Sequence, residues 1–162
     1  MIYLIDTSSL ICLVEQYPKD IFKTLYKNCD TEIINGKIKA PEQVLHEIKR
    51  KDDTLYKWVI GYKKLFIIDT SNRILQRAAE IVNSYPELVK NSGLTAYGDD
   101  PADPYLIATA ISLVDTNIET ISDIKIITEE GNKKNHIPDI AHKHNIETIH
   151  ILEFFKEMKW EF

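Results

Sequence analysis

Short apolar runs recur along the chain, and longer stretches of mixed polarity separate them. Apolar runs of four or five residues without helical spacing are typical of buried β-strands. The pattern predicts four strands, at Ile2–Ile5, Leu65–Ile68, Lys125–Thr128 and Thr148–Ile151, and an extended segment at Ile38–Ala40.

The stretches between these runs carry apolar side chains at three- and four-residue spacing, which predicts amphipathic helices. The predicted helices are Ser8–Glu15, Lys19–Asn28, Pro41–Lys51, Thr54–Lys64, Ser71–Ser84, Ala102–Val114, Ile137–His144 and Leu152–Lys159, with a short piece at Asp30–Asn35 and a polar connection from Pro86 to Gly98. Strands that alternate with helices predict an α/β fold whose parallel sheet is covered on both faces. No segment resembles a linker, so residues 1–162 are predicted to form one domain.

Composition narrows the classes of function. The chain has 162 residues, of which 44% are hydrophobic and 28% are charged, as in ordinary soluble domains. Its formal net charge of −5 argues against a general basic nucleic-acid binder but leaves room for a local basic patch. Cys12 and Cys29 have neither CxxC nor Cys/His spacing, so no zinc site or disulfide framework is expected. No signal peptide or membrane span is visible, and we expect a cytoplasmic protein without a membrane partner.

Acidic residues follow several of the predicted strands. Asp6 follows the first strand, and Asp69 follows the second within a repeat of the tetrapeptide IDTS. Glu129 and Glu130 follow the third strand, and Asp103 lies at the start of a later helix. Ligands bind at the carboxyl ends of the strands in open parallel sheets, so these acids are candidate site residues.

Helix capping is the alternative explanation for several of these acids. Asp69 favours a cap on the helix that follows it, and Asp100, directly before a proline, favours another. Asp103 is also a possible cap, and the two glutamates after the third strand could be solvated loop charges. Asp6 could cap the first helix, but its apolar strand would deliver it into the crevice of the sheet.

One further acid, Glu47, lies on a predicted helix, three positions after Val44 and one before Ile48. It therefore borders the buried face, although most helical glutamates are simply solvated. Carboxylates brought together repel each other, so some must protonate unless a cation lies among them. Oxygen ligands without cysteine suit Mg²⁺ or Mn²⁺, and the natural chemistry of such a site is phosphoester cleavage.

Four motifs, in this order, resemble those of the PIN-domain ribonucleases: YLIDTS, HEIKR, ADPYLIATA and IITEE. Together with the APEQVLHEIKR helix and the C-terminal segments, they resemble more narrowly a PIN-like family found beside antitoxin genes. The resemblance covers nearly the whole chain. It implies a three-layer α/β/α fold, divalent-metal-dependent cleavage of RNA, and the role of toxin in a toxin–antitoxin pair. The implied partners are an RNA substrate and a cognate antitoxin protein, and many relatives form homodimers.

The resemblance also implies which residues act. The catalytic acids would be Asp6, Glu47, Asp103 and Glu130, and the ligands of Mg²⁺ or Mn²⁺ would come from Asp6, Asp103, Glu129 and Glu130. Ser8 and Thr128 would orient a carboxylate, and Asp99 and Asp100 would either assist or only cap a helix. The sequence departs from the family at the last acid, which is commonly an aspartate two residues after the strand-ending threonine. Glu130 holds that place here, but its longer side chain leaves the choice between it and Glu129 open.

Basic residues adjoin two of these motifs, and an RNA backbone needs such groups. Lys49, Arg50 and Lys51 follow Glu47, while Lys133 and Lys134 follow the acids of the third strand. The alternative is that these are ordinary exposed side chains. The five histidines show no metal-ligand spacing, so no catalytic histidine is expected.

Two other classes of function stay open. One is a non-catalytic PIN-like module that binds RNA or protein. The other is an aspartyl-phosphate protein, either a receiver or a phosphatase. Such phosphatases carry D-x-D after the first strand, whereas this chain has Ser8 at the third position, and a receiver would need a strand-ending lysine that IITEE does not offer.

Overall fold

The structure is a computed structural model, and it describes residues 1–91, 100–115 and 121–162. Its strands are β1 (Ile2–Ile5), β2 (Ile38–Pro41), β3 (Ile67–Ile68), β4 (Ile124–Ile127) and β5 (Glu147–Ile149). They form one sheet in the order β3-β2-β1-β4-β5, and every neighbouring pair is parallel. The predicted parallel sheet is therefore confirmed, with β1 at its centre.

Ten α-helices lie within the described residues. They are α1 (Thr7–Gln16), α2 (Lys23–Ile34), α3 (Glu42–Lys51), α4 (Asp53–Ile60), α5 (Lys63–Phe66), α6 (Asn72–Ser84), α7 (Pro86–Asn91), α8 (Ala102–Asp115), α9 (Ile137–Lys143) and α10 (Ile151–Glu157). A short 3₁₀ turn, Ile121–Asp123, leads into β4. In this part of the chain, no helix is both long enough and apolar enough to cross a bilayer.

Helices cover both faces of the sheet. Successive residues of a strand point to opposite faces and therefore pack against different helices. In β1, Tyr3 and Ile5 pack into a buried cluster that includes side chains of α1, α2, α3 and α10. Leu4, between them, points the other way into a second cluster formed with α6, α8 and α9. Burial of apolar surface on both sides holds the three layers together. The three-layer α/β/α architecture is thereby confirmed.

The parallel pairing brings the carboxyl ends of the strands to one edge of the sheet. Ile5 of β1 pairs with Ile127 of β4, and Pro41 of β2 pairs with Ile68 of β3. The residues that follow these four positions therefore emerge at the same edge. This edge is where the sequence places most of its candidate acids.

Two predictions near the N-terminus need revision. The extended segment predicted at Ile38–Ala40 is confirmed, but it is a full strand, Ile38–Pro41, that pairs with both β1 and β3. The two helical pieces predicted before Gly36 are one helix, α2, because Leu25, Cys29 and Ile33 form a continuous buried stripe. Gly36 ends that helix with a positive φ of 73°, a conformation that glycine adopts without a steric cost.

The predicted Thr54–Lys64 helix is divided at Gly61 into α4 and α5. As a result β3 has only two residues, since Leu65 belongs to α5 and is exposed. In the polar connection predicted between Pro86 and Gly98, residues 86–91 form α7. The remainder of that connection, with Asp99, lies outside the described residues.

Candidate active site

Asp6, the first residue after β1, is 4% exposed. Its Oδ1 accepts a hydrogen bond from the backbone N–H of Ser9 at 2.7 Å, which makes it the N-cap of α1. The hydroxyls of Ser8 and Thr128 lie 2.7 Å and 2.6 Å from its Oδ2. The buried carboxylate of Asp6 therefore both caps α1 and lies in the crevice of the sheet. Donors from α1 and from the residue after β4 hold it in position.

Burial raises the pKa of the Asp6 carboxyl to about 6, because the ionised form loses its hydration. The hydrogen bonds from Thr128, Ser9 and Ser8 act in the opposite direction, since they stabilise the ionised form. Asp6 is therefore an acid whose negative charge costs free energy in the folded state unless something positive compensates it.

Glu47 is also 4% exposed, so it is not one of the solvated glutamates usual on helices. Its Oε2 accepts a hydrogen bond from the hydroxyl of Thr7 at 2.5 Å. Its Oε1 accepts one from the backbone N–H of Ala102, the first residue of α8, at 2.9 Å. One carboxylate on α3 therefore joins the start of α1 to the start of α8.

Asp103 lies in the first turn of α8 and is partly exposed. Within the described part of the chain, its carboxylate accepts no hydrogen bond. Burial, and then the negative charges of Glu130, Asp6 and Glu47, raise the pKa of Asp103 well above its usual value. Asp103 is therefore the point at which charges from β1, α3 and β4 converge, and its own oxygens are free to bind.

Glu130 follows β4 at the side of the site nearest α9. Its Oε2 accepts a hydrogen bond from the backbone N–H of Ile137 at 2.9 Å, and the Nδ1 of His136 lies 3.5 Å away. After burial, the charge of Glu130 raises the pKa of Asp103 more than any other charge does. Glu130 therefore lies within electrostatic reach of Asp103 while its Oε2 contacts the start of α9.

Glu129 points in a different direction. Its Oε1 accepts a hydrogen bond from the backbone N–H of Ile151 at 2.8 Å, and the Nδ1 of His150 lies 3.7 Å from its Oε2. Its backbone N–H donates to the Ser8 hydroxyl at 3.0 Å. Both glutamates thus accept an amide at a helix start, Glu130 at α9 and Glu129 at α10, and Glu130 is the one whose charge acts more strongly on Asp103.

Asp100 and Asp69 lie outside the group of converging acids. Asp100 accepts a hydrogen bond from the hydroxyl of Tyr105 at 2.6 Å, and Glu47 rather than Asp100 takes the first amide of α8. Asp69 is exposed, and it is Ser71 whose side chain caps α6. The second IDTS therefore ends in a turn and cap, as expected, but the cap is its serine and not its aspartate.

The basic residues of α3 point in different directions. The ammonium of Lys49 lies 5.8 Å from the ring centre of Tyr56, and the Nε of Arg50 donates to the carbonyl of His46 at 3.4 Å. The charge of Lys51 instead acts on Asp103, where it lowers the pKa against the effect of the acids.

Lys133 and Lys134 are exposed in the segment between β4 and α9. The positive charge of Lys134 acts on Asp139 of α9, whose pKa it helps to lower, after the hydrogen bonds from Lys143 and Asn135. This second basic pair therefore lies on the α9 side of the site.

Carboxylates without sulfur are donors that suit a hard divalent cation, and those of Asp6, Glu47 and Glu130 lie close enough for their charges to act on Asp103. Asp103 has free oxygens there, and after burial the neighbouring negative charges raise its pKa, whereas burial alone raises the pKa of Asp6. The acids do not form a compact group: among the described residues, no three Asp, Glu, His or Cys side chains lie close enough together to hold a metal ion. Protein hydrogen bonds hold Asp6 and Glu47, and mutual repulsion favours separation of the acids.

Sequence reasoning missed two contributors to this arrangement: Thr7 binds Glu47, and the Ser9 amide binds Asp6. It named Lys51 with Lys49 and Arg50 but did not single it out as the lysine whose charge acts on Asp103. The i, i+4 spacing of Glu47 and Lys51 was a usable signal, since residues four apart share one face of a helix. The contacts of Thr7 carry no sequence signal, because they depend on where α3 packs.

Comparison with known proteins gives a family. The model of the family described as a domain of unknown function (DUF4411) matches residues 3–162, which is nearly the whole chain. A search of the curated proteins found no match.

Proposed function

The chain belongs to the DUF4411 family, and we propose that it is an endoribonuclease that depends on Mg²⁺ or Mn²⁺. The observation that carries the proposal is the convergence at Asp103. Three acids from other elements add their charge to that of Asp103, whose carboxylate accepts no hydrogen bond from the described residues. Without a cation, the repulsion between these charges disfavours their ionised forms; with a cation, the same carboxylates can hold it for catalysis.

Asp6, Asp103 and Glu130 would hold the ion, and Glu47 would ligate it or orient a water molecule. Glu129 was also expected among the ligands, but its Oε1 accepts the amide of Ile151 at the start of α10, and its charge is not among those that raise the pKa of Asp103 most. When bound, a divalent ion neutralises phosphate charge and acidifies a water molecule, as phosphodiester hydrolysis requires. The proposal requires no covalent protein nucleophile.

The chain's own residues would prepare the site. Ser8 and Thr128 fix the Asp6 carboxylate, which limits the orientations that its free lone pairs can take. Thr7 and the Ala102 amide fix Glu47 in the same way. The hydrogen bonds of Asp6 and Glu47 thus hold two acids on the floor of the site, while Asp103 and Glu130 lie at its partly exposed rim.

Cleavage of a labelled pool of total RNA by the purified protein tests the proposal. We expect cleavage in Mn²⁺ or Mg²⁺, none in EDTA, and a loss of cleavage in both Asp6→Asn and Asp103→Asn. Asp69→Asn is the matched control, because it changes the same residue type in the other IDTS. Wild-type cleavage that persists in EDTA, or in both site variants, would refute the assignment.

We further propose that the cellular role is that of a cytoplasmic toxin, held inactive by a cognate antitoxin and acting as a homodimer. The support is the resemblance of the four motifs to the PIN-like family found beside antitoxin genes. Expression of the wild type should arrest growth, expression of Asp6→Asn should not, and the product of the neighbouring gene should relieve the arrest. Arrest that is equal for both variants would contradict the role.

A non-catalytic PIN-like module that binds RNA or protein is the second candidate. It is favoured by the hydrogen bonds that already satisfy part of Asp6 and Glu47 and by the open spacing of the acids. RNA binding without hydrolysis in Mn²⁺ would select this candidate.

An aspartyl-phosphate role is less well supported, because both oxygens of the buried Asp6 accept hydrogen bonds. Acid-stable incorporation of phosphate on Asp6 would favour it.

A further inference from the structure

A cavity of about 510 Å³ adjoins the acids on the side of α1. It is lined by Ser8, Ile11, Cys12, Glu15, Gln16, Lys51 and Glu129. Ser8 belongs to both places, since its hydroxyl lies 2.7 Å from Asp6 and its side chain forms part of the cavity wall. The cavity volume falls within the range of about 300–1,000 Å³ that is usual for ligand sites.

Lys51 is the one cationic side chain among the described residues of this wall. It lies in the last turn of α3, is exposed, and makes no ion pair or hydrogen bond with the described residues. The residues of the adjoining site are acids, and two further acids, Glu15 and Glu129, line the cavity wall. An anionic strand that enters here therefore depends on Lys51 for attraction more than on any other described side chain of the wall.

We propose that this cavity is a binding subsite for single-stranded RNA, in which Lys51 contacts a phosphate of the strand next to the cleaved bond. The inference rests on the proposed nuclease function and extends it to the path of the substrate. Ile11 and Cys12 give the wall an apolar part against which a sugar or base can pack, while Lys51 fixes the backbone. The strand would leave the acids between α1 and the end of α3.

The test compares Lys51→Gln with Lys156→Gln. Lys156 is an exposed lysine in the last turn of α10 and serves as a matched control at the far edge of the sheet, where its neighbour Glu157 pairs with Lys125 at the start of β4. Lys51→Gln should weaken binding of a uridine oligonucleotide about 10-fold, as expected for loss of a hydrogen bond to a charged group. It should also reduce the slope of log affinity against log salt by about 0.7, the value for one phosphate contact to a single strand.

Mn²⁺ binding separates a substrate role from a structural one. Removal of a positive charge near Asp103 should leave Mn²⁺ binding unchanged or strengthen it, whereas a damaged site would bind both Mn²⁺ and RNA less well.

The two cysteines supply a further readout. Cys12 lines the cavity and is partly exposed, while Cys29 is buried and serves as an internal reference. With Ca²⁺ in place of Mg²⁺, the oligonucleotide should slow alkylation of Cys12 in the wild type and in Lys156→Gln but not in Lys51→Gln.

The outcomes distinguish the subsite from the nuclease proposal. If the wild type cleaves RNA but Lys51→Gln equals Lys156→Gln in affinity, salt slope and Cys12 protection, the subsite is refuted and the nuclease stands. If RNA binds and protects Cys12 in a manner that depends on Lys51, yet neither the wild type nor a variant cleaves it in Mn²⁺, the cavity stands as an RNA-binding site and the nuclease fails. Loss of Mn²⁺ binding in Lys51→Gln would assign the lysine to the architecture of the acids and overturn its role in the subsite.

Discussion

The chain contains the tetrapeptide IDTS twice, once after the central strand β1 and once after the edge strand β3, and the two copies have different environments. Asp6 is buried and held by three donors, whereas Asp69 is exposed. A central strand is flanked by two others whose ends add groups around its last residue, and an edge strand has a neighbour on one side alone. The same four residues therefore become either a candidate active site or a turn, depending on where the strand lies in the sheet.

The aspartates give the largest expected difference between the two copies. Asp6→Asn should reduce RNA cleavage by more than about 100-fold, which exceeds the loss of about 10- to 100-fold typical of residues that only support a metal ligand. Asp69→Asn should cleave within about twofold of the wild type, since an exposed surface change has little effect. Initial rates in Mn²⁺ on one RNA pool measure both. Equal losses in the two variants would show that position in the sheet does not decide the role.

Stability against pH gives the next largest difference. The folded-state pKa of Asp6 is about 6, above its ordinary value, so the folded protein holds this proton more tightly than the unfolded chain does. The resulting stabilisation, about 3 kcal/mol, is present below about pH 4 and is lost as the pH rises through 6. Without divalent ions, Asp6→Asn should lack this loss, whereas Asp69→Asn should follow the wild type. Urea unfolding at pH 4, 5, 6 and 7 measures it, and parallel curves for all three proteins would contradict a buried, ionising Asp6.

The serines should differ in which property they affect. Ser8→Ala removes a hydroxyl next to Asp6 and should lower cleavage about 10-fold or more while the protein stays folded. Ser71→Ala removes the cap of α6 and should cost about 1 kcal/mol of stability without loss of cleavage. Ser8→Ala should therefore lower the cleavage rate more than the thermal midpoint, and Ser71→Ala should lower the thermal midpoint and leave the rate unchanged. A stability loss without a rate loss in Ser8→Ala would reduce Ser8 to a structural residue.

The threonines should give the smallest difference. Thr7→Val leaves the buried Glu47 with one donor fewer and should lower both the cleavage rate and the stability, the latter by about 1–3 kcal/mol. Thr70→Val removes the hydrogen-bond partner of the Gln43 amide and should cost about 1 kcal/mol of stability alone. Chemical unfolding together with initial rates checks both variants. Full activity in Thr7→Val would show that the orientation of Glu47 does not matter for cleavage.

Sequence patterns predicted the layers of this fold better than its boundaries. The apolar runs at β1 and β4 were found because both strands are buried, and the stripe of α6 was found because one of its faces is solvated. The strand β2 was undervalued because its run is interrupted by Lys39 and ends at Pro41. The shortness of β3 depends on α5, a four-residue helix too short to give a periodic signal.

The candidate site was predicted less completely. The resemblance of the four motifs nominated Asp6, Glu47, Asp103 and Glu130, and in the structure the charges of the other three act on Asp103. The divergence of Glu129 from Glu130 could not be predicted, because it depends on which helix start each side chain caps. The i, i+4 spacing from Glu47 favoured Lys51 over Lys49 and Arg50, but its approach to Asp103 depends on how α3 packs against α8.

The central claim is that Asp6, Asp103 and Glu130 together bind divalent ions at one site, and anomalous scattering from crystals soaked in Mn²⁺ tests it most directly. We expect one or two manganese peaks within about 2.1 Å of oxygens of Asp103 and Asp6, and the same peaks to be absent in Asp6→Asn. A saturating soak that leaves this region empty, or that places manganese only at acids elsewhere on the surface, would contradict the claim.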